Sequence, residues 1–526
     1  MPEGNRASEP GYRERYNLMS SIELVALTAA VISILVYLGL GFQIARKMEV
    51  LGDHLPITTG RLARVENSKE FSASTVATTI SLVTVIMAFF ELAPYFGPWL
   101  LWTVITTVLG LIVVHLFIKK IAMKMLDYGD YRPTLHAFLG LEYRSPLVAL
   151  IGAACTSLGF LGAFSVELTV GSRFLSHLIP SIPLSIVIIV LAVVSFVYTS
   201  AGGFRAVIVT DRIQMKAVWL LLAALLIFYI IHVFIIGGIT VSSNRIPSNM
   251  KGLSGRDGLL PFIVGIFIIN VPTYLSDMSM WQRIAGSQDS QSLMRGLFRS
   301  AIGAAITWSL LILFACLVPI VVVIPEDENP LLTLIRTIAS QYNIWGLLIL
   351  FLVTLGLYGA MFSTASTQLI VVAHTIYSDI LRKSQELSSL EAFDSDQGIW
   401  LSRVIISTSA IVAMAIVEIL SSAGFSIADF VFAIYGSQLG LFPPTFLALW
   451  WKPNQLKHLG NWALAAIILG FVTGWGTAGY GKFTGTPHLV FLAPAASLFT
   501  SSLLMGLGIL RTRIWDKSSK ERKTYN

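Results

Sequence analysis

The amino-acid sequence predicts an all-α integral membrane protein with about 13 transmembrane helices. Three observations carry that reading. Hydrophobic residues make up 55% of the 526 and charged ones only 12%, against about 25% charged in soluble domains. A soluble core stops growing near ~250–300 residues and cannot absorb that much apolar surface. Apolar runs of spanning length, about 20 residues, recur along the whole chain, and lysines and arginines gather in alternate loops between them.

The runs begin near residues 22, 73, 99, 146, 182, 206, 259, 298, 345, 399, 427, 462 and 487. Turn chemistry separates them, as in Pro94–Pro98 (PYFGP) and Ser242–Gly258 (SSNRIPSNMKGLSGRDG). The expected layout is an outer tail (1–21), a transmembrane domain (22–510) and a basic cytoplasmic tail (511–526). The run from Ile22 is long enough to span and lacks a small-residue cleavage site, so it does not read as a removable leader. Cys155 and Cys316 both sit in apolar segments, which leaves no disulfide framework and no CxxC metal site.

Orientation follows from the loops. The last residues hold Arg511, Arg513, Lys517, Lys520, Arg522 and Lys523, which places the C-terminus in the cytoplasm. An odd number of spans then puts the N-terminus outside. Inner loops carry Arg46, Lys47, Arg61 and Arg64, then Lys119, Lys120, Lys124 and Arg132. They also carry Arg283, Arg295 and Arg299, then Arg382 and Lys383, then Lys452 and Lys457. One outer loop holds Glu326-Asp327-Glu328, while the loop with Arg245, Lys251 and Arg256 departs from the rule. The expected location is a plasma membrane, the inner membrane of a bacterium.

Two segments read as interrupted. The second holds Glu91 and Pro94 after a run of hydroxyls. The seventh holds Asn270, Pro272, Ser276 and Asp277 within IINVPTYLSDMSMWQR. Paired broken helices in corresponding positions of two halves point to an inverted-repeat transporter with a midplane site. The halves would span about 73–236 and 259–451.

Polar stripes sharpen this. Ser363, Ser366 and Thr367 fall at i, i+3 and i+4 and share one helical face, with Ala360 and Thr364 on an adjoining edge. Hydroxyls and freed carbonyls there suit a hard monovalent cation. Membrane serines and threonines also bond back to their own helix or join neighbouring helices, and that alternative stands beside the first. In the second segment Ala77, Ile80, Ser81 and Thr84 form a matching stripe. Ala77 and Ile80 offer only carbonyls, and only where the helix unwinds. Asp211, in GGFRAVIVTDRIQ, is an ionisable residue in an apolar segment and a functional candidate by default. Arg212 and Lys216 follow it closely, so pairing or capping at a helix end is the competing account.

GGFRAVIVTDRIQ resembles the GG-x-x-AV-x-x-TD-x-x-Q signature of the sodium–solute symporter family, which includes sodium-coupled sugar, proline and sialic acid carriers. RPTLHAFLGLEYRS (132–145), WQRIAGSQDSQSLMRG (281–296) and FSTASTQLIVVAHTIYSDIL resemble three more of its motifs in order. The resemblance runs from about residue 25 to 455. It implies a LeuT-type core of five plus five inverted helices, with one extra helix before it and two after. It implies a principal sodium site at Ala77, Ile80, Ala360, Ser363 and Thr364. It also implies a second, inner site at Ser81, Thr84, Asp211, Ser366 and Thr367. All five residues of the inner set carry oxygen-bearing side chains.

The implied activity is sodium-coupled uptake of a small polar solute by alternating access. The solute cavity would lie near Thr79, Glu91, Glu167, Asn270, Thr273, Asp277 and Gln438. The glutamine of sugar carriers is missing around Val83–Ile86, and Thr79 stands where proline carriers have aspartate, so neither solute is favoured. The implied partners are the solute, Na+ and the bilayer, with no nucleic acid, organic cofactor or obligatory protein partner. Two other readings remain. One is a proton-coupled carrier. The other is a transporter-like sensor that no longer transports, although such chains continue into a signalling module. A respiratory antiporter subunit needs mid-membrane lysines, and here the lysines cluster at span ends. No Ser-His-Asp set, metal-spaced His/Cys cluster or phosphate loop supports an enzyme. His136, His177, His374 and His488 are scattered.

Overall fold

The computed structural model describes residues 10–49, 51–57, 65–234, 258–287, 289–325, 328–341, 343–381, 396–422 and 427–524. These residues are almost entirely helical. The helices of eight residues or more are α1 (Pro10–Ala45), α2 (Ser68–Thr79), α3 (Ala88–Phe96), α4 (Leu101–Leu126), α5 (Leu135–Glu142), α6 (Pro146–Leu178) and α7 (Leu184–Phe234). Then come α8 (Leu259–Ser276), α9 (Met278–Ala285), α10 (Ser290–Val321), α11 (Pro330–Gln341), α12 (Asn343–Thr375) and α13 (Asp396–Ser422). The last are α14 (Ile427–Ser437), α15 (Phe442–Trp450), α16 (Gly460–Phe483) and α17 (Pro487–Thr524).

Among the described residues, 11 helical stretches are long and apolar enough to cross a bilayer. Two exceed one crossing, Leu82–Met125 with 44 residues and Leu184–His232 with 49. At ~1.5 Å per residue each is far longer than a ~30 Å hydrocarbon layer. Glycines divide both, Gly97 at φ 52° and Gly203 at φ 54°. Gly97 closes α3 inside the expected PYFGP turn. Gly203 kinks α7, and a Cβ there would come within 2.5 Å of the His54 carbonyl oxygen. His54 is buried. It bridges the kink: Nε2 lies 2.9 Å from the Ser200 carbonyl and Nδ1 lies 3.1 Å from Ser402 Oγ.

The break expected around Glu91 and Pro94 falls earlier, while the one expected among Asn270, Pro272, Ser276 and Asp277 falls within that stretch. Pro94 lies inside α3 and Pro272 inside α8. The first interruption is at Ile80 and Ser81, whose backbones leave the helical region. The second is at Asp277, which is extended. Proline removes one donor, which a membrane helix tolerates. A full break needs acceptors for several freed N–H groups. Helix also reaches into both expected tails, since α1 begins at Pro10 and α17 ends at Thr524. The loop 242–257 with Arg245, Lys251 and Arg256 lies outside the described residues, as do Arg61, Arg64, Glu326, Asp327, Arg382 and Lys383.

Packing brings the broken helices to the centre. α12 lies against α7, α6 and α1; α2 lies against α10 and α7; α8 lies against α4 and α17. Large apolar side chains such as Leu116, Phe298 and Phe499 are exposed on the outside, as lipid-facing helices require.

Two outcomes follow. Gly203→Val should lower the unfolding midpoint in detergent, because the left-handed backbone alone costs a side chain roughly 1–2 kcal/mol and the His54 carbonyl blocks it. Burial, aided by nearby Arg403, lowers the His54 pKa from 6.5 to about 4, and His54 lies between α1 and α2. Its contribution to stability is whole above the unfolded pKa near 6.5 and is lost as pH falls toward 4. The midpoint of His54→Gln should therefore fall less steeply over that window than the parent's.

Candidate functional site

Between α2 and α3 the chain leaves the α-helix at Ile80 and Ser81 and re-enters through one wide turn, Leu82–Met87. Three of the freed donors are met by side chains. Leu82 N–H donates to Glu167 Oε1 at 3.0 Å. The Val83 and Thr84 N–H groups donate to Ser81 Oγ at 3.1 and 2.9 Å. Ser81 Oγ donates in turn to Glu167 Oε2 at 2.6 Å. Glu167, on α6, is fully buried. The second break is built alike: Asp277 caps α9, accepting at Oδ1 from Ser279 Oγ and from Met280 N–H, the latter at 2.8 Å.

Asp211, also fully buried, lies where α2, α7, α9 and α12 meet. Its Oδ1 accepts from Ser363 Oγ at 2.6 Å and its Oδ2 from Ser74 Oγ at 2.5 Å. Arg283, six residues past the second break, approaches Oδ2 at 3.4 Å. The same guanidinium donates to Ser74 Oγ at 2.9 Å, to Thr367 Oγ1 at 3.2 Å and to Thr78 Oγ1. Nη1 donates to the Ser279 carbonyl at 3.0 Å. Asp211 is therefore no helix-end cap, and Arg212, which is exposed and lies 3.8 Å from Glu70, is not its partner.

Of the set assigned to an inner cation site, Asp211 and Thr367 come together. Ser81 is held by Glu167 instead. Thr84 lines a central cavity, and Ser366 Oγ bonds back to the Ser363 carbonyl at 3.1 Å. Arg283 is the group that joins these two residues, Asp211 and Thr367. Ser74, Thr78 and Arg283 were missing from the expected site. The spacing of Ser74, Thr78 and Ser81 at i, i+4 and i+7 could have flagged the first two. Arg283 reads from sequence as one more loop cation.

The cavity, about 140 Å³, opens beside both breaks. Thr79, Asn270, Thr273 and Asp277 line it as expected, with Tyr274, Trp308, Tyr435 and Gln368 added. Asn270 turns its amide to Thr106 Oγ1 at 2.9 Å. Glu91, Glu167 and Gln438 do not line it. Glu167 serves the break, Gln438 fills the space beside Gly159, and Glu91 sits half-buried at the start of α3. Thr364 also lines the cavity, and its Oγ1 is buried without a hydrogen-bond partner. Ala77, Ile80 and Ala360, the carbonyl donors assigned with it, are buried.

The model of the "Sodium:solute symporter family" matches residues 72–470. The chain belongs to this family. It is a multi-pass, sodium-coupled symporter of the alternating-access kind and not an enzyme. It is 24% identical over 404 residues to the sodium/proline symporter of Salmonella typhimurium, covering 72% of this chain and 71% of that one. It is 25% identical over 310 residues to the osmoregulated proline transporter of Bacillus subtilis, where the match spans 57% of that protein's length. Among solved structures, a substrate-bound, outward-open Na+-coupled sialic acid symporter superposes with a TM-score of 0.70 at 18% identity. That match covers 92% of this chain and 98% of the other. Mhp1, a nucleobase-cation-symport-1 family transporter, matches at TM-score 0.54 and 13% identity over 87% and 95% of the two chains. These likenesses establish the LeuT-type fold.

Removing one partner of a buried ion pair strands the other, at a cost of about 3–5 kcal/mol. Arg283→Ala should therefore lower the unfolding midpoint sharply, and Asp211→Asn combined with Arg283→Ala should restore part of it. Additive losses in that cycle would show that the two side chains do not depend on each other.

Proposed function

We propose that sodium binds between α2 and α12, at the carbonyls of Ala77, Ile80 and Ala360 and the hydroxyls of Ser363 and Thr364, with the solute in the adjoining cavity. The observation that carries this reading is Thr364 Oγ1, buried, lacking a protein partner and beside the cavity. A buried hydroxyl left so costs stability unless a ligand meets it. The donors are neutral oxygens beside a helix break, the setting in which discontinuous helices take sodium.

Sodium at this place joins two helices that move relative to each other, so it favours one arrangement of the carrier. A solute that prefers the same arrangement is then coupled to sodium, and the coupling is reciprocal. The inward gradient supplies the drive, and the membrane potential adds ~2.3 kcal/mol per charge per 100 mV.

The inner position acts as a latch. Arg283 ties α9 to α2, α7 and α12 through Ser74, Thr78, Asp211 and Thr367. Opening toward the cytoplasm must break those bonds, and a second sodium would compete with Arg283 for Asp211. The supporting arrangement is 13 crossings, with α7 and the Leu82–Met125 stretch each counted as two. The N-terminus is outside, the C-terminus is in the cytoplasm, and the protein sits in a bacterial inner membrane.

Thr364→Ala should weaken sodium-dependent thermal stabilisation about tenfold in sodium concentration, a 1.4 kcal/mol loss. Thr364→Ser, which keeps the oxygen, should remain near the parent. An unchanged sodium titration in the alanine variant would remove Thr364 from the site.

A further inference from the structure

The freed N–H groups at a helix start form an anion-binding site, and in transporters with broken helices such ends face the carboxylate of an anionic solute. Both such ends here are already closed from within. Glu167 and Ser81 take the Leu82, Val83 and Thr84 donors, and Asp277 takes the Met280 donor. A solute carboxylate at either end would lie beside a carboxylate already there.

The charge balance points the same way. Arg283 and Asp277 are the charged residues lining the cavity. The guanidinium is committed to Asp211 at 3.4 Å. That single positive charge thus faces two carboxylates, Asp211 and Asp277. Both hydrogen bonds to Asp277 fall on Oδ1, and Oδ2 takes part in neither. Among the carboxylates, Asp211 and Asp277 are the two that act on this guanidinium. One carboxylate charge is left to be met by a cation, since a lone charge is costly in a low-dielectric interior. Trp308, Tyr274 and Tyr435 also line the cavity, and aromatic faces attract cations. At about 140 Å³ the space is well below the ~300–1,000 Å³ of sites for drug-sized ligands.

We propose that the solute is a small organic cation, an amine or ammonium compound without a carboxylate, and that Asp277 is its counter-ion. This rests on the symport reading and narrows it. It separates the chain from its relatives named for proline and sialic acid, both of which carry a carboxylate.

The test uses the purified full chain in nanodiscs, followed by thermal unfolding in sodium or potassium chloride. The probes are matched by charge: choline and ethanolamine as cations, betaine and proline as their carboxylate-bearing counterparts. In sodium, at least one cation should stabilise the protein with an apparent affinity about tenfold or more above that of its counterpart. Asp277→Asn, which keeps an acceptor for the α9 cap, should lose the cation response and keep the sodium response. The proposal is overturned if betaine or proline stabilises the parent as well as the cations do, or if neither cation stabilises it. Equal midpoints in sodium and potassium, with cation binding intact, would instead count against sodium coupling and leave the charge assignment standing.

Discussion

Inside a bilayer there is no water to satisfy a freed backbone N–H, so a helix breaks only where protein atoms replace its lost bonds. The arrangement of this protein depends on meeting that constraint at Ile80 and Ser81. Glu167, from α6, accepts from Leu82 N–H and from Ser81 Oγ, which in turn accepts from Val83 and Thr84 N–H. Beside the break lies the cavity, lined there by Thr79 and Thr84. The glutamate shapes the site without lining it.

The second break follows the same rule with a local cap, Asp277, and projects Arg283 back across the bundle. The guanidinium then links four helices at one buried point. The arginine pairs with Asp211 and holds α2, α7 and α12 together. Bonds that are whole in one arrangement and broken in the other give a two-state element on which ion and solute can act. The apolar packing of α12 against α7, α6 and α1 supplies the frame against which it moves.

Local features were legible. The hydroxyls of α12 lie within five residues of one another, and helical periodicity alone puts Ser363, Ser366 and Thr367 on one face. The apolar runs revealed the spans because bilayer thickness sets their length. The position of the breaks was not legible from proline. Pro94 and Pro272 are the visible disruptors, yet both stay inside helices, because one missing donor is a small local defect. The inner cluster was half legible: Asp211 stood out as a charge in an apolar run, whereas Ser81 and Thr84, grouped with it by the family resemblance, lie at the first break and on the cavity.

The sequence by itself determined the class, the order of spans, the hydroxyl face of α12 and the importance of Asp211, because each depends on composition or on neighbours a few residues apart. Only the tertiary structure decided who pairs with whom. Glu167 reaches Ser81 across 86 positions, and Arg283 reaches Asp211 across 72. Such pairings depend on how the helices are placed against one another. A carboxylate in an apolar run shows that a partner must exist, since a lone buried charge is too costly. Which partner it takes, and hence which charge is left for the cavity, is set by the packing.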